Sequence, residues 1–484
     1  MARILILGAG IAGHTAALIL RRRLGREHEV VVVAPNRLWN WIPSNIWVGV
    51  GAMRPEEVTF ELAPVYRRLG VEFVQAKAVE LHAEGSAAAA RPFVVVETTS
   101  AESGGERREV AYDYLINATG PRLEFAATPG LGPDGYTESV CTFGHAARAA
   151  AALAASIERM RRGETQTFVV GTGHGTCTCE GAAFEYVFNL EFELRRAGVR
   201  DKARVVFLTN EAQLGDFGVD GLQLQWRGFV VPSRIFAESL FVERGVEWIT
   251  GAHVEKIEPG LAHYMTIDGG RATLAFDFAM LLPPFKGAEM KAFDRGGADV
   301  TGEVFAPSRF MKVDADYTAK PYEEWRAADW PRTYRSPKYA NVFAAGIAFA
   351  PPHAISRPRR TPDGTPIAPA PPRTGMPSGV IARAVALSIV DMINGAPGPT
   401  YEASMAEMGA GCVASAGKGF FRGSAASMTM YPIVPDYERF PILGRDPRYT
   451  FGEIGAAGHW IKHILHHMFL YKAKALPGWW LIPE

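Results

Sequence analysis

The sequence predicts an α/β protein with two Rossmann-like dinucleotide-binding domains and a C-terminal region that ends in an amphipathic, membrane-associating helix. Three stretches predict it. Arg3–Leu7 is a fully apolar strand that runs into Gly8-Ala9-Gly10-Ile11-Ala12-Gly13, a helical pattern to Arg23 and a second strand at Val30–Val33. Strand, GxGxxG, helix and strand within about 30 residues form the dinucleotide fingerprint. Gln166–Glu185 repeats the plan with a short strand, the glycines Gly171, Gly173 and Gly175, and a helix start, but this turn carries Cys177 and Cys179. The third stretch is His459–Lys474, apolar on one half of a helix and basic on the other.

The composition bounds the function. With 484 residues the chain has room for two or three domains. The 51 basic and 51 acidic residues cancel, which argues against a nucleic-acid binder. Four cysteines are too few for a disulfide scaffold, and no run reads as long enough to span a bilayer. The N-terminus goes directly into a strand, so a cytoplasmic location is expected, with peripheral membrane contact open.

In the first fingerprint, the glycines let backbone approach a pyrophosphate and the helix N-terminus offers it free N–H groups. The acid expected after the second strand is missing. Pro35, Asn36 and Arg37 stand there, and Asn36 can still hydrogen-bond a ribose hydroxyl. The loop Trp39-Asn40-Trp41-Ile42-Pro43-Ser44-Asn45 suits a flat ring system or a packed apolar loop. Tyr114–Gly120 is a strand ending in Ala118, Thr119 and Gly120, and 341–347 (NVFAAGI) ends on Gly346 and Ile347. Small residues at a strand end let backbone pass close to a cofactor. Leu123–Tyr136 reads as a linker, Ala315–Lys338 as a surface excursion and Pro351–Pro372 as a Pro/Arg loop ordered over a site or flexible. Arg373, Thr374 and Gly375 lead into a helix whose N–H groups can face the pyrimidine carbonyl of a flavin. These signals divide the chain into 1–135 and 281–400 for the FAD-binding domain, 136–280 for the domain with the cysteine turn, and 401–484 for the C-terminal region.

A family resemblance enters at GAGIAG, WNWIPSN, YLINATGP, SVCTFGHA, the turn Cys179–Glu185, LLPPF, NVFAAGI and RTGMPSG. In that order they resemble the sulfide:quinone oxidoreductases, flavoproteins of the glutathione-reductase-like group related to flavocytochrome c sulfide dehydrogenases. The resemblance covers nearly the whole chain. It implies bound FAD, sulfide as electron donor, a membrane quinone as acceptor and polysulfide or sulfur as product. Matched by motif, Cys141 is the family's first cysteine and Cys179 its second. The third, after the NVFAAG strand, is replaced by Ala348, which leaves open how Cys141, Cys177 and Cys179 divide the work. The alternatives are an NAD(P)H:quinone oxidoreductase and a flavin-binding sulfur sensor without turnover.

The candidate catalytic residues are Cys179, Cys141, Cys177, His145 and Glu185. A thiol at a helix N-terminus is expected to be drawn toward thiolate by the helix dipole. His145 is the candidate base and Glu185 a proton shuttle, each with an ordinary structural role as its alternative. Arg373 is a candidate for stabilising a reduced flavin. Cys412 reads as a buried structural thiol. Two ligands spaced C-x-C do not make a metal site by themselves, so no metal is expected. A homo-oligomer is left open.

At 100° per residue, Trp460, Ile461, Ile464, Leu465, Met468, Phe469 and Tyr471 share one half of the C-terminal helix. His459, Lys462, His463, His466, His467 and Lys474 share the other. Lys472 falls within the apolar half, where its stem could snorkel, and Leu470 is stranded on the polar half. Such a helix lies in a membrane interface or packs its apolar half on the protein's own core.

Overall fold

The computed structural model describes residues 1–100, 104–178, 180–372, 374–419 and 421–484. Both fingerprints open on a strand in the interior of a parallel sheet. Arg3–Leu7 lies between Glu29–Ala34 and Tyr114–Asn117, with Leu5 opposite Val31 and Leu115. Val342–Ala344 pairs with Tyr114–Asn117, and Glu72–His82 with Glu29–Ala34, so strands from both ends of 1–400 build one sheet. Glu72–His82 continues into an antiparallel meander with Phe93–Thr98 and Arg107–Ala111. Gln166–Thr172 lies between Ala203–Leu208 and Phe278–Leu282, with Glu247–Ile249 at the edge. Both motif strands are buried almost throughout, as the near-continuous apolar runs of a sheet covered on both faces require.

The C-terminal region is more than a helix. A five-stranded sheet runs Phe229–Pro232, Gln223–Trp226, Phe451–Gly455, Ser424–Met430, Ala410–Ala416. Its first two strands are a hairpin from the stretch carrying the second fingerprint, and Gln225 pairs with Phe451. The helix Ala456–Ala473 lies across this sheet, with Gly458 close to Ser427 and Ala425. The segment 315–338 is no surface excursion throughout, since Trp330 and Tyr334 are fully buried. The helix Gly375–Ile393 is apolar and long enough to cross a bilayer, which the sequence expectation missed. It packs instead along Ile11–Arg23 and buries Ile381, Val385 and Ile389.

The C-terminal helix docks by the side that carries His459, Lys462 and His466. His459, Lys462, His466 and Lys472 are buried, whereas Trp460, Ile461, Ile464 and Tyr471 are exposed. Each of these buried side chains makes at least one polar contact with the protein. Lys462 Nζ donates to Glu185 Oε2 at 2.6 Å, His466 Nδ1 meets Ser44 Oγ at 2.9 Å, and His459 Nε2 meets the Gly419 carbonyl at 3.0 Å. The expectation for Lys472 is corrected. Its ammonium does not snorkel but is buried, donating to the carbonyls of Ile482 and Pro483 and pairing with Glu484 at 2.7 Å. Leu470, stranded by periodicity, belongs to the protein-facing side and is buried in the core. Phe469 stacks on Trp41, with ring centroids 5.0 Å apart.

Candidate functional site

The first glycine turn is a cradle whose shape depends on missing side chains. Gly8 has φ +98°, and a Cβ there would lie 2.1 Å from the Ala118 carbonyl oxygen. A Cβ on Gly13 would lie 2.0 Å from the Gly8 carbonyl oxygen, so the helix Ile11–Arg23 can approach the strand only with glycine there. A Cβ added at Gly10 would meet no other part of the fold within 4 Å, so the turn is open on that side. Asn36 and Arg37 are exposed at the end of the second strand, with Arg37 paired to Glu61. Gly120 (φ +70°) and Gly346 (φ +65°) both need the left-handed region. Gly346 packs on Ala12, where a Cβ would come within 2.6 Å, and Gly375 faces Ile11. Gly8, Gly13, Ala118 and Thr119 thus meet at one cradle, with Ala12 and Gly346, and Ile11 and Gly375, packed beside it. It fits a dinucleotide.

The tryptophan loop has a partly different role from the expected one. Pro43 leads a 3-10 turn, Ile42–Ser44, into the short helix Asn45–Gly49. Asn45 is fully buried. Its amide group exchanges hydrogen bonds with Asn40 and donates to the Val140 carbonyl at 3.2 Å, and Asn40 Oδ1 also accepts Phe143 N–H. Asn45 therefore fixes the segment around Cys141 to the loop rather than reaching for a cofactor. Ser44 bonds His466 of the C-terminal helix. His14, in the cradle helix, meets the Ala473 carbonyl at 2.7 Å and Tyr66 Oη at 2.8 Å. Burial lowers its pKa to about 4, so it is a neutral link between cradle and C-terminal helix.

At the second turn, Cys179 and Arg373 lie outside the described residues. Cys177 does not match the expected thiolate. It is fully buried, its thiol donates to the Leu282 carbonyl at 3.0 Å, and burial followed by the Glu180 carboxyl pushes its pKa well above the usual thiol value. The dipole cannot offset that desolvation. Cys141 is close enough for its charge to act on Cys177, and burial pushes it up to about 11 against a hydrogen bond from Ser139. His145 has an aromatic neighbour of its own. Its ring packs edge-on against Phe125 at 5.7 Å, and burial with Arg148 nearby lowers its pKa, which keeps it neutral. Glu185 is also corrected. The helix begins at Glu180, so Glu185 lies in its second turn and faces the C-terminal sheet. Its carboxylate accepts Ser415 N–H and Oγ–H as well as Lys462. Cys412 is only half-buried and lies beside Gly181, and burial lifts its pKa to about 11.

The Pro/Arg loop turns out to cover this turn. After a small hairpin, Arg359–Arg360 with Pro366–Ile367, the chain lies along it as a strap. Ala368 N–H donates to the Gly175 carbonyl at 2.8 Å, Ala370 N–H to the Cys177 carbonyl at 2.9 Å, and Thr178 Oγ1 to Pro371 at 3.0 Å. A Cβ on Gly175 would lie 2.6 Å from the Pro366 carbonyl oxygen. The protein's own backbone thus occupies the approach by which a second nucleotide would reach this turn. Sequence reading also missed three buried acids beside it, Glu180, Glu211 and Asp216. The only hint was a charged Glu180 in a run of glycine and alanine.

Comparison with known proteins agrees with this geometry. Residues 2–213 match the family described as pyridine nucleotide-disulphide oxidoreductase. Over 473 residues the chain is 26% identical to the sulfide-quinone reductase of Aquifex aeolicus, covering 97% of this chain and 91% of that one. The chain is a homologue of sulfide-quinone reductase. The mouse mitochondrial sulfide:quinone oxidoreductase is 26% identical over 211 residues, 43% of this chain and 41% of its own. The solved structure of the Aquifex aeolicus sulfide:quinone oxidoreductase superposes with a TM-score of 0.76 at 24% identity, covering 98% of this chain and 92% of that one. The NADH complex of NDH2 from Plasmodium falciparum shares the fold more distantly, with a TM-score of 0.59 at 12% identity and coverage of 98% and 96%. The resemblance read from the motifs therefore holds, and with it the two-Rossmann fold and FAD as the cofactor.

Proposed function

We propose that this protein is an FAD-dependent oxidoreductase that oxidises sulfide to polysulfide or sulfur and passes the electrons to a membrane quinone. The observation that carries this reading is similarity to sulfide-quinone reductase along 97% of the chain. The closed second nucleotide turn supports it. Gly8, Gly10 and Gly13 would receive the pyrophosphate, and Gly120, Gly346 and Gly375 would let backbone lie against the ring. FAD supplies a two-electron store between a sulfur donor and a quinone. Cys179 and Cys141 take the sulfur, because Ala348 cannot, while Cys177 is held by Leu282. The purified protein is expected to carry about one FAD per chain. In rapid mixing, sulfide should bleach the flavin and NADH should not. Bleaching by NADH alone would instead establish the nicotinamide alternative. Bleaching by sulfide without steady turnover on a soluble quinone would leave the sensor.

Contact with the membrane is proposed to run through the exposed half of the C-terminal helix. Ile461 and Ile464 are exposed, Trp460 and Tyr471 are exposed in part, and Trp480 and Leu481 are exposed beyond the helix. Indoles and aliphatic side chains on one side suit the interface plane. Moving an isoleucine side chain from water to an apolar phase is worth about 1.5–3 kcal/mol. The double variant Ile461→Ser, Ile464→Ser should therefore lose more than about tenfold in partitioning to anionic liposomes while keeping its flavin. Equal co-sedimentation of variant and parent would remove the helix as the anchor.

A further inference from the structure

Two histidines close the second glycine turn, and neither takes part in the reaction set out above. His174 lies in the turn and His253 in the strand Ala252–Glu258, each half-buried. His253 Nδ1 accepts Gly175 N–H at 3.0 Å, and His174 Nδ1 accepts Thr176 N–H at 3.2 Å. The Thr176 hydroxyl also donates to His174 Nδ1, at 3.0 Å. A main-chain N–H can only donate, so both Nδ1 atoms are bare and both rings are neutral, with the proton on Nε2. The rings meet edge to face, with centroids 4.6 Å apart. Cys177 N–H is taken by the His174 carbonyl at 3.2 Å. In a dinucleotide-binding turn such N–H groups face the pyrophosphate. Here two imidazole nitrogens and a carbonyl hold them.

The strap rests on the same residues. Gly175 gives its N–H to His253, and its carbonyl accepts Ala368 N–H at 2.8 Å. A Cβ on Gly175 would lie 2.6 Å from the Pro366 carbonyl oxygen and 3.1 Å from His253 Nδ1, so the turn is held between the strap and that ring. The charged groups that act on His253 are Glu255, on its own strand, and Asp363, in the hairpin of the strap. Both acids are already paired with Arg271, at 3.0 Å each. The charge that acts on His174 is His253 itself. A proton on either Nδ1 sets N–H against N–H, and protons on both rings set two cations side by side, with centroids 4.6 Å apart.

We propose that His174 and His253 are a proton-operated latch, which holds the strap closed over the second glycine turn at neutral pH and releases it in acid. Burial, then His253, lowers His174 to about 4, and burial lowers His253 against the pull of Glu255 and Asp363. The closed turn therefore takes up protons less readily than the open one. Closure is at full strength above the ordinary histidine value of about 6.5 and weakens as the pH falls below it, by up to about tenfold per pH unit for each histidine. Release frees the N–H groups of Gly175 and Thr176 beside two imidazolium rings, which makes a closed turn one that is open to anions.

Amide exchange of the purified protein, read by mass spectrometry and corrected for the intrinsic rate at each pH, tests the latch. Between pH 7.5 and 5, residues 174–177 and 366–371 should lose at least about tenfold in protection, while Arg3–Leu7 keeps its own. The double variant His174→Asn, His253→Asn places an amide oxygen where each Nδ1 accepts, and that oxygen does not titrate. Its strap should be equally protected at both pH values. In ¹⁵N-histidine spectra of the parent, assigned with the single variants, both rings should be the Nε2–H tautomer at pH 7.5. They should gain protons over the interval in which the strap opens. Parental protection that does not change with pH, or the same loss in the double variant, would overturn the latch. A ring protonated on Nδ1 at pH 7.5 would do so as well, and that spectrum decides the matter if the double variant does not fold. No substrate enters these measurements, so their outcome is separate from that of the sulfide reading.

Discussion

Replacing Cys179 by serine removes sulfide-driven flavin bleaching while the protein stays yellow. The turn backbone survives a one-atom change, because Gly175 and Cys177 are bonded by the strap through main-chain atoms. Retention of more than about a tenth of parental turnover, a loss below about 1.4 kcal/mol, would show that Cys179 is not the nucleophile. The contrasting variant is Cys177→Ser. A serine hydroxyl can donate to the Leu282 carbonyl as the thiol does, so this change should lower the rate by less than about tenfold. If the two variants fail equally, the C-x-C pair acts as a unit and replaces the cysteine missing at Ala348.

Lys462→Met should be the most destabilising single change on the C-terminal side. Glu185 and Lys462 are almost wholly buried, and the substitution leaves the carboxylate facing only Ser415. Breaking a buried pair from one side costs about 3–5 kcal/mol. The expected result is loss of amide protection across 456–473 in hydrogen exchange and a lower unfolding temperature. The double variant Glu185→Gln, Lys462→Met should recover most of the loss, since it leaves no lone charge. A double variant as unstable as the single one would mean that Lys462 matters through packing and not through its partner.

The cradle was legible in the sequence because its logic is local. Gly8, Gly10 and Gly13 act within six residues, and their steric reasons follow from the strand and helix on either side. The same holds for the ends at Gly120 and Gly346. The C-terminal helix was half legible. Periodicity separates Ile461 and Ile464 from His459 and Lys462, but which half docks is set by Glu185, 277 residues away. Lys472 defied its neighbours for the same reason, because Glu484 and two carbonyls of the tail receive it. Glu185 was misplaced since helix onset at Glu180 turns it away from the cysteine turn. The acids at 211 and 216 were invisible because a buried acid and a surface acid look alike until the fold encloses one.

The pairing of Gln225 with Phe451 bears on how the chain is made. On the ribosome, the hairpin 223–232 emerges more than 200 residues before the strand that will cover its inner edge. Until then Gln223–Trp226 presents an open row of backbone donors and acceptors, next to the exposed Phe229 and Val230. At about 5–20 residues per second that interval lasts on the order of ten seconds or more. Nascent chains halted in this window should aggregate or recruit chaperones, and chains halted past residue 455 should not.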